Sequence, residues 1–174
     1  VALLWAVVVW RYGLSLEALK GALFGTLLIG IALTDAREYI IPNEFTWGGL
    51  ALGLVLAAAA GVDSMIVAAL GAVVGFALLW LVGLLGTWAF KKDAMGGGDI
   101  KMMAMVGAFM GWQGVLLTVF LGALAGTVIF LPLRLIKREE KDVPFGVFLA
   151  LGAAVTYVIG PALIAWYRRY LGVG

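Results

Sequence analysis

The sequence predicts an all-α membrane protein, a polytopic transmembrane bundle of about seven membrane segments, and three observations support this fold class. Of its 174 residues, 64% are hydrophobic and 13% are charged, whereas a soluble domain is about half apolar and a quarter charged. Apolar stretches long enough to cross a bilayer alternate with short polar ones. No polar stretch is long enough to fold alone, so we expect residues 1–174 to form a single domain.

The segments follow from charges, Gly/Pro clusters and the lengths of the apolar runs. Residues 1–10 lack a starting Met and a basic leader, so we expect them to be the end of a first span truncated at the N-terminus. Ser15 is a typical N-cap for the second segment. The fifth segment reaches only about 20 Å as a helix, so we expect it to be short or re-entrant. The predicted segments are 1–10, 15–34, 45–60, 64–88, 100–112, 115–135 and 144–166.

The chain contains no cysteine and no histidine, which excludes several kinds of site. Disulfides, Cys/His zinc sites, cysteine nucleophiles and Ser-His-Asp triads all need one of these residues. Hydrolysis would therefore depend on carboxylates, on lysine, or on a hydroxyl paired with lysine. The net charge of +2 says little about nucleic acid, and we expect no nucleic-acid partner. The basic residues border apolar runs, where they act as topology signals.

Two aspartates, Asp35 and Asp99, are the candidate catalytic residues. Asp99 directly follows the glycine triplet Gly96, Gly97 and Gly98, and a carboxylate beside a membrane segment is costly unless it has a task. Two carboxylates about one water apart share a proton, so one activates water while the other donates to the developing oxyanion. The glycines would let an extended substrate backbone come close without Cβ clashes.

Other interpretations of these residues stay open at this point. Asp35 could be an interfacial charge paired with Arg37 or Lys101, and Asp99 could be only the N-cap of the following helix. A small proton-coupled transporter or assembly subunit would also use two carboxylates, but near the membrane midplane. Both aspartates lie at the ends of predicted spans, which favours proteolysis.

The distribution of lysine and arginine predicts the orientation. With seven passes, eight of these residues share one side with both aspartates and four lie on the other, which favours a cytoplasmic location for the first side. If residues 100–112 form a re-entrant loop, the split is six against six. In either case two spans separate Asp35 from Asp99, so both lie at the same membrane face.

Three motifs in this order resemble those of the type IV prepilin peptidases, the GxGD-type intramembrane aspartyl proteases of the A24 family. The resemblance covers roughly residues 16 to 166. The residues that carry it are Asp35 with Arg37 and Ile41-Pro42-Asn43, then Gly96-Gly97-Gly98-Asp99-Ile100-Lys101, then Val143-Pro144-Phe145-Gly146.

The resemblance implies an aspartic endopeptidase of the bacterial inner membrane that cleaves the basic leader from prepilins and pseudopilins at the cytoplasmic face. It implies Asp35 and Asp99 as the catalytic pair and no cofactor for proteolysis. The other motif residues would contact substrate, namely Gly96, Gly97, Gly98, Lys101, Arg37, Pro42, Asn43, Pro144, Phe145 and Gly146.

Many members of that family also methylate the new N-terminus with S-adenosylmethionine and carry a four-cysteine zinc site. This chain has no cysteine to bind zinc, and its sequence leaves methyl transfer and oligomeric state open. Pro161-Ala162-Leu163 matches the PAL tripeptide of the presenilin and signal-peptide-peptidase group. That tripeptide must lie beside the catalytic pair, whereas here it falls near the far end of the last predicted span.

Overall fold

A computed structural model confirms the all-α prediction and describes residues 1–93, 95–137, 144–170 and 172. Four stretches are long and apolar enough to cross a membrane, namely Leu16–Glu38, Val62–Phe90, Gly97–Ile129 and Phe145–Tyr167. About seven membrane segments are therefore not confirmed. The six helices of the described residues are α1 (Ala2–Tyr12), α2 (Leu16–Glu38), α3 (Asn43–Ala60), α4 (Val62–Phe90), α5 (Gly97–Lys137) and α6 (Phe145–Tyr170).

Two of these helices, α1 and α3, do not reach the length and apolarity of a membrane span. The first has 11 residues. The second has 18 residues, but the polar residues Asn43 and Glu44 occupy its first turn. The spans expected over residues 1–10 and 45–60 therefore stay predictions.

The two ends of α2 and the start of α3 follow from local sequence. The Ser15 side chain accepts a hydrogen bond from the Ala18 N–H, as predicted for an N-cap. At its other end α2 stops where Tyr39 adopts a left-handed conformation with φ 55°. Pro42, whose ring fixes φ, immediately precedes α3. A short turn therefore holds the start of α3 close to the end of α2.

The helix α5 is interrupted at Gly111, where φ is 70° and ψ is 179°. A side chain is disfavoured at such a φ, so glycine suits this position. The break leaves a short apolar part that starts with Asp99 in its first turn and a longer part that follows. The break at Gly111 lies next to residue 112, the predicted end of the fifth segment, but the chain continues there as a helix rather than as a loop.

The short part of α5 is the centre of the bundle. Residues 102–109 are all buried. On one side this part packs directly on α4, because a Cβ added at Gly71 or at Gly107 would collide with the backbone of the other helix. Such close approach through glycine is typical of membrane helices. The helix that carries Asp99 is therefore held on a rigid partner.

Candidate active site

The structure brings the two candidate catalytic residues together. Asp35 lies near the C-terminal end of α2 and Asp99 in the first turn of α5. The two side chains are 6% and 9% exposed. They are close enough for the charge of Asp35 to act on Asp99. Two helix ends that are distant in sequence thus place two carboxylates in one buried site.

Asp35 is held by the first turn of α6. The backbone N–H of Val147 donates a hydrogen bond of 3.0 Å to Asp35 Oδ2. N–H groups in the first turn of a helix have no partner within the helix, and the N-terminus of a helix favours negative charge. The segment after Pro144 therefore supplies a donor to Asp35, which explains why a helix start is needed there.

Gly146 is the residue whose lack of a side chain makes this contact possible. A Cβ at Gly146 would lie 2.8 Å from Asp35 Oδ2 and 2.7 Å from Ile41 Cδ1. Both distances are shorter than real Cβ atoms show. Gly146 is therefore required for packing against Asp35.

Asp99 has a different environment. It lies within the first turn of α5, which begins at Gly97, so it is not the N-cap of that helix. Its own N–H donates to the Gly96 carbonyl at 3.2 Å. The buried Asp99 Oδ1 has no hydrogen-bond partner among the described residues, which is unusual for a buried polar atom. This oxygen is the unsatisfied hydrogen-bonding group of the site, and it is closed off from solvent.

The three glycines before Asp99 are not equivalent. A Cβ at Gly98 would lie 2.9 Å from Ile41 Cβ, whereas a Cβ at Gly97 would meet no heavy atom within 4 Å. A Cβ at Gly96 would lie 3.3 Å from Asp99 Oδ2. Gly98 is therefore needed for packing inside the protein, and Gly97 is the member of the triplet that leaves open space.

A hydrogen bond joins the start of α3 to the start of α5. Lys101 Nζ donates to Asn43 Oδ1 at 2.8 Å. Lys101 is thus engaged with an amide, which argues against the interpretation that Asp35 is merely its ion-pair partner. The Lys101–Asn43 bond closes one side of the site.

The remaining predicted substrate-contact residues make no hydrogen bond to either carboxylate within the described part of the chain. Arg37 is exposed on the last turn of α2, where a cation complements the helix dipole. Pro42, Pro144 and Phe145 are half-buried. Their roles toward a substrate stay predictions.

Two participants were missed by the sequence reasoning. Ile41 belongs to the Ile41-Pro42-Asn43 motif but is not among the predicted site residues, yet both Gly98 and Gly146 pack against it. Its position in that motif was the available signal. Val147 acts through its backbone N–H, which no side-chain pattern could reveal.

The PAL tripeptide lies away from this site. Helix α6 begins beside Asp35 and contains Pro161 in its interior, about 24 Å further along at about 1.5 Å per residue. Pro161 borders a cavity formed by other helix ends, which does not suit a role beside the aspartates. Among the described residues, no group of three or more His, Cys, Asp or Glu side chains is placed to hold a metal ion.

Comparisons with known proteins agree with the motifs. A family model for the type IV leader peptidase family matches residues 22–131. The prepilin leader peptidase/N-methyltransferase of Pseudomonas putida is 34% identical over 98% of this chain and 60% of its own length. The protein of that name from Stutzerimonas stutzeri is 34% identical, over 97% of this chain and 59% of its own length. The one from Pectobacterium carotovorum subsp. carotovorum is 35% identical, over 87% of this chain and 54% of its own length.

The chain thus spans about 60% of the length of the first of these relatives. No solved structure matches it.

Proposed function

Because the chain belongs to the type IV leader peptidase family, we propose that it is an aspartic endopeptidase of a bacterial inner membrane. Its substrates are the N-terminal segments of type IV prepilins and pseudopilins, from which it removes the basic leader. The four apolar helix stretches fit a multi-pass membrane protein. The Lys/Arg distribution favours a site at the cytoplasmic face.

The observation that carries the proposal is the convergence of Asp35 and Asp99 in one buried site. Two carboxylates in one buried site resist being ionised together, so in the proposed mechanism they hold one proton between them. The ionised member takes a proton from water, whose oxygen bonds to the carbonyl carbon of the scissile peptide. The protonated member donates to the carbonyl oxygen. As the tetrahedral intermediate collapses, the C–N bond breaks, the amine takes the proton that the first member removed from water, and the hydroxyl returns its proton to the second member.

The hydrogen bonds favour a division of roles between the two residues. Asp35 accepts from Val147 N–H at the start of α6, and both the donor and the helix N-terminus stabilise an anion. No hydrogen-bond donor among the described residues stabilises a charge on Asp99 Oδ1, so Asp99 suits the member that holds the proton. We therefore assign Asp35 as the base and Asp99 as the acid in the attack step.

The open space at Gly97 supports a place for the substrate backbone. A Cβ there meets nothing within 4 Å, although Asp99 is only two residues away. An extended peptide laid along this backbone would meet no Cβ at Gly97 and would pass close to Asp99 in the sequence.

The transporter alternative is not favoured by this geometry. It expects acidic residues midway along broken helices, whereas Asp35 is in the last turns of α2 and Asp99 is in the first turn of α5. The names of the relatives also include N-methyltransferase activity, which would need S-adenosylmethionine. The two-carboxylate chemistry does not use that cofactor, so the proposal concerns the peptidase step.

The test is cleavage of a prepilin by single amide variants. We expect Asp35→Asn and Asp99→Asn each to lower the cleavage rate by more than about 10³-fold, since loss of one essential group disables the pair. Matched controls are Glu38→Gln, on the same helix as Asp35, and Asp93→Asn, in the loop before the glycines. Both control residues are exposed and should keep the parent rate. A wild-type rate in either aspartate variant would show the assignment to be wrong.

A further inference from the structure

A cavity of about 520 Å³ lies at the end of the bundle opposite the two aspartates. Three helices run from the site to the cavity, and their lengths give the distance between the two. From Asp35 back to Lys20, α2 covers about 22 Å, and from Asp99 to Gly111, α5 covers about 18 Å. From Val147 to Pro161, α6 covers about 21 Å. The cavity is therefore separate from the proposed peptidase site.

Charged groups of both signs line this cavity. Glu17 and Lys20 come from the start of α2, and Asp63 comes from the start of α4. Tyr12 and Tyr157 also line the cavity, and Glu17 is close enough for its charge to act on the Tyr157 phenol. The lining thus offers two carboxylates, one ammonium group and two phenols.

A buried hydroxyl at the cavity wall is left without a partner. Thr156 lines the cavity, is 1% exposed, and its Oγ1 has no hydrogen bond among the described residues. Other threonines within the helices, Thr26 and Thr127 among them, donate to the carbonyl four residues earlier. Thr156 does not, although it also lies inside a helix. The Thr156 oxygen is closed off from the space of the cavity, so this side chain is part of the cavity wall and offers no hydrogen bond to a ligand.

Apolar side chains form the rest of the lining. Leu56, Val67 and Phe109 are examples from three different helices. A cavity of this size matches the usual volume of small-molecule sites, which combine an apolar lining with a few polar groups. The ligand should therefore be amphiphilic, with its polar end among the charged residues.

We propose that this cavity binds a zwitterionic amphiphile with a primary ammonium and a phosphate group. The ammonium lies against the carboxylates of Glu17 and Asp63, and the phosphate lies against Lys20. The apolar lining holds the first part of a hydrocarbon chain. Since the cavity is formed by helix ends at one face of an apolar bundle, the source that fits is an ethanolamine phospholipid of the membrane. This binding site does not depend on the peptidase activity proposed above.

Lipid retention by the purified full chain tests the proposal. The delipidated protein in detergent is mixed with dioleoyl phosphatidylethanolamine, with dioleoyl phosphatidylglycerol, which lacks the ammonium, or with soluble phosphoethanolamine, and bound ligand is measured by native mass spectrometry. We expect the ethanolamine lipid to be retained about tenfold more than the glycerol lipid. Equal retention of the two lipids overturns the proposal. If soluble phosphoethanolamine competes fully, the headgroup chemistry stands and the source is a free solute.

Two variants make the test specific. Glu17→Gln combined with Asp63→Asn should abolish the preference for the ethanolamine lipid, whereas Glu44→Gln combined with Asp93→Asn, at the other end of the bundle, should keep it. Lys20→Gln removes the cation that faces the phosphate, so it should lower retention of both lipids about fivefold. An unchanged preference in the Glu17/Asp63 variant, or unchanged retention in Lys20→Gln, overturns the proposal.

Discussion

Replacing Gly146 by alanine should disable the site while leaving the bundle folded. The added Cβ would lie 2.8 Å from Asp35 Oδ2, whereas ordinary van der Waals contact begins at 3.4 Å. The carboxylate oxygen must therefore retreat by roughly 0.6 Å, and a displacement near 1 Å of a reacting group costs about 10²-fold in rate. We expect Gly146→Ala to lower the rate of prepilin cleavage by between about 10-fold and 100-fold.

The same methyl group also presses on Ile41, at 2.7 Å from Cδ1. Overpacking of this kind typically costs about 1–3 kcal/mol, so the melting temperature in detergent should fall moderately. Initial cleavage rates must therefore be measured well below the melting temperature of the variant, with the folded fraction checked by circular dichroism. The loss of rate should persist at full folding.

Gly48→Ala is the matched control for this substitution. Gly48 lies inside α3, and a Cβ there meets no heavy atom within 4 Å. Alanine has the higher helix propensity, so this variant should be as stable as the parent or slightly more so, by up to about 1 kcal/mol, with an unchanged rate. If Gly146→Ala cleaves as fast as Gly48→Ala, the contact between α6 and Asp35 does not position the carboxylate, and the reasoning is refuted.

Two further predictions concern the other side of the site. A Cβ at Gly98 would lie 2.9 Å from Ile41 Cβ, so Gly98→Ala should lower the melting temperature. Gly97→Ala should leave the melting temperature unchanged and raise KM, because only the substrate meets that position. A lower melting temperature for Gly97→Ala with a raised KM for Gly98→Ala would contradict the assignment. Lys101 and Asn43 share a hydrogen bond of 2.8 Å. The effects of Lys101→Ala and Asn43→Ala on the free energy of unfolding should therefore differ from additivity by about 0.5–1.5 kcal/mol in the double variant. Full additivity would show that this bond does not join α3 to α5.

Much of this arrangement could be predicted because it depends on patterns that the sequence displays directly. Apolar length and charge placement predict membrane helices, and the even number of spans between Asp35 and Asp99 predicts a shared face. The glycines around Asp99 indicated a special backbone. These features depend on local composition, and the helices and the proximity of the two carboxylates follow from them.

Other features could not be predicted, for physical reasons. The donor to Asp35 is a main-chain N–H that lies 112 residues away in sequence, and backbone groups are the same in every residue. The number of membrane segments is equally hidden, because glycine at position 111 suits a loop and a break within a helix alike. Composition likewise does not tell which glycine of the triplet packs on Ile41 and which leaves open space.

The most direct test of the central claim is whether positions 35 and 99 are neighbours in the membrane. The chain has no cysteine, so Asp35→Cys and Asp99→Cys can be combined without background thiols and oxidised with copper phenanthroline. Gly53→Cys with Ala108→Cys is the positive control, because a Cβ at Gly53 would lie 3.0 Å from Ala108 Cβ, near the Cβ spacing of a disulfide. Asp35→Cys with Asp63→Cys is the distant pair. The account predicts an intramolecular disulfide for the Asp35/Asp99 and Gly53/Ala108 pairs and none for the Asp35/Asp63 pair. Cross-linking of the Gly53/Ala108 pair without cross-linking of the Asp35/Asp99 pair would contradict it.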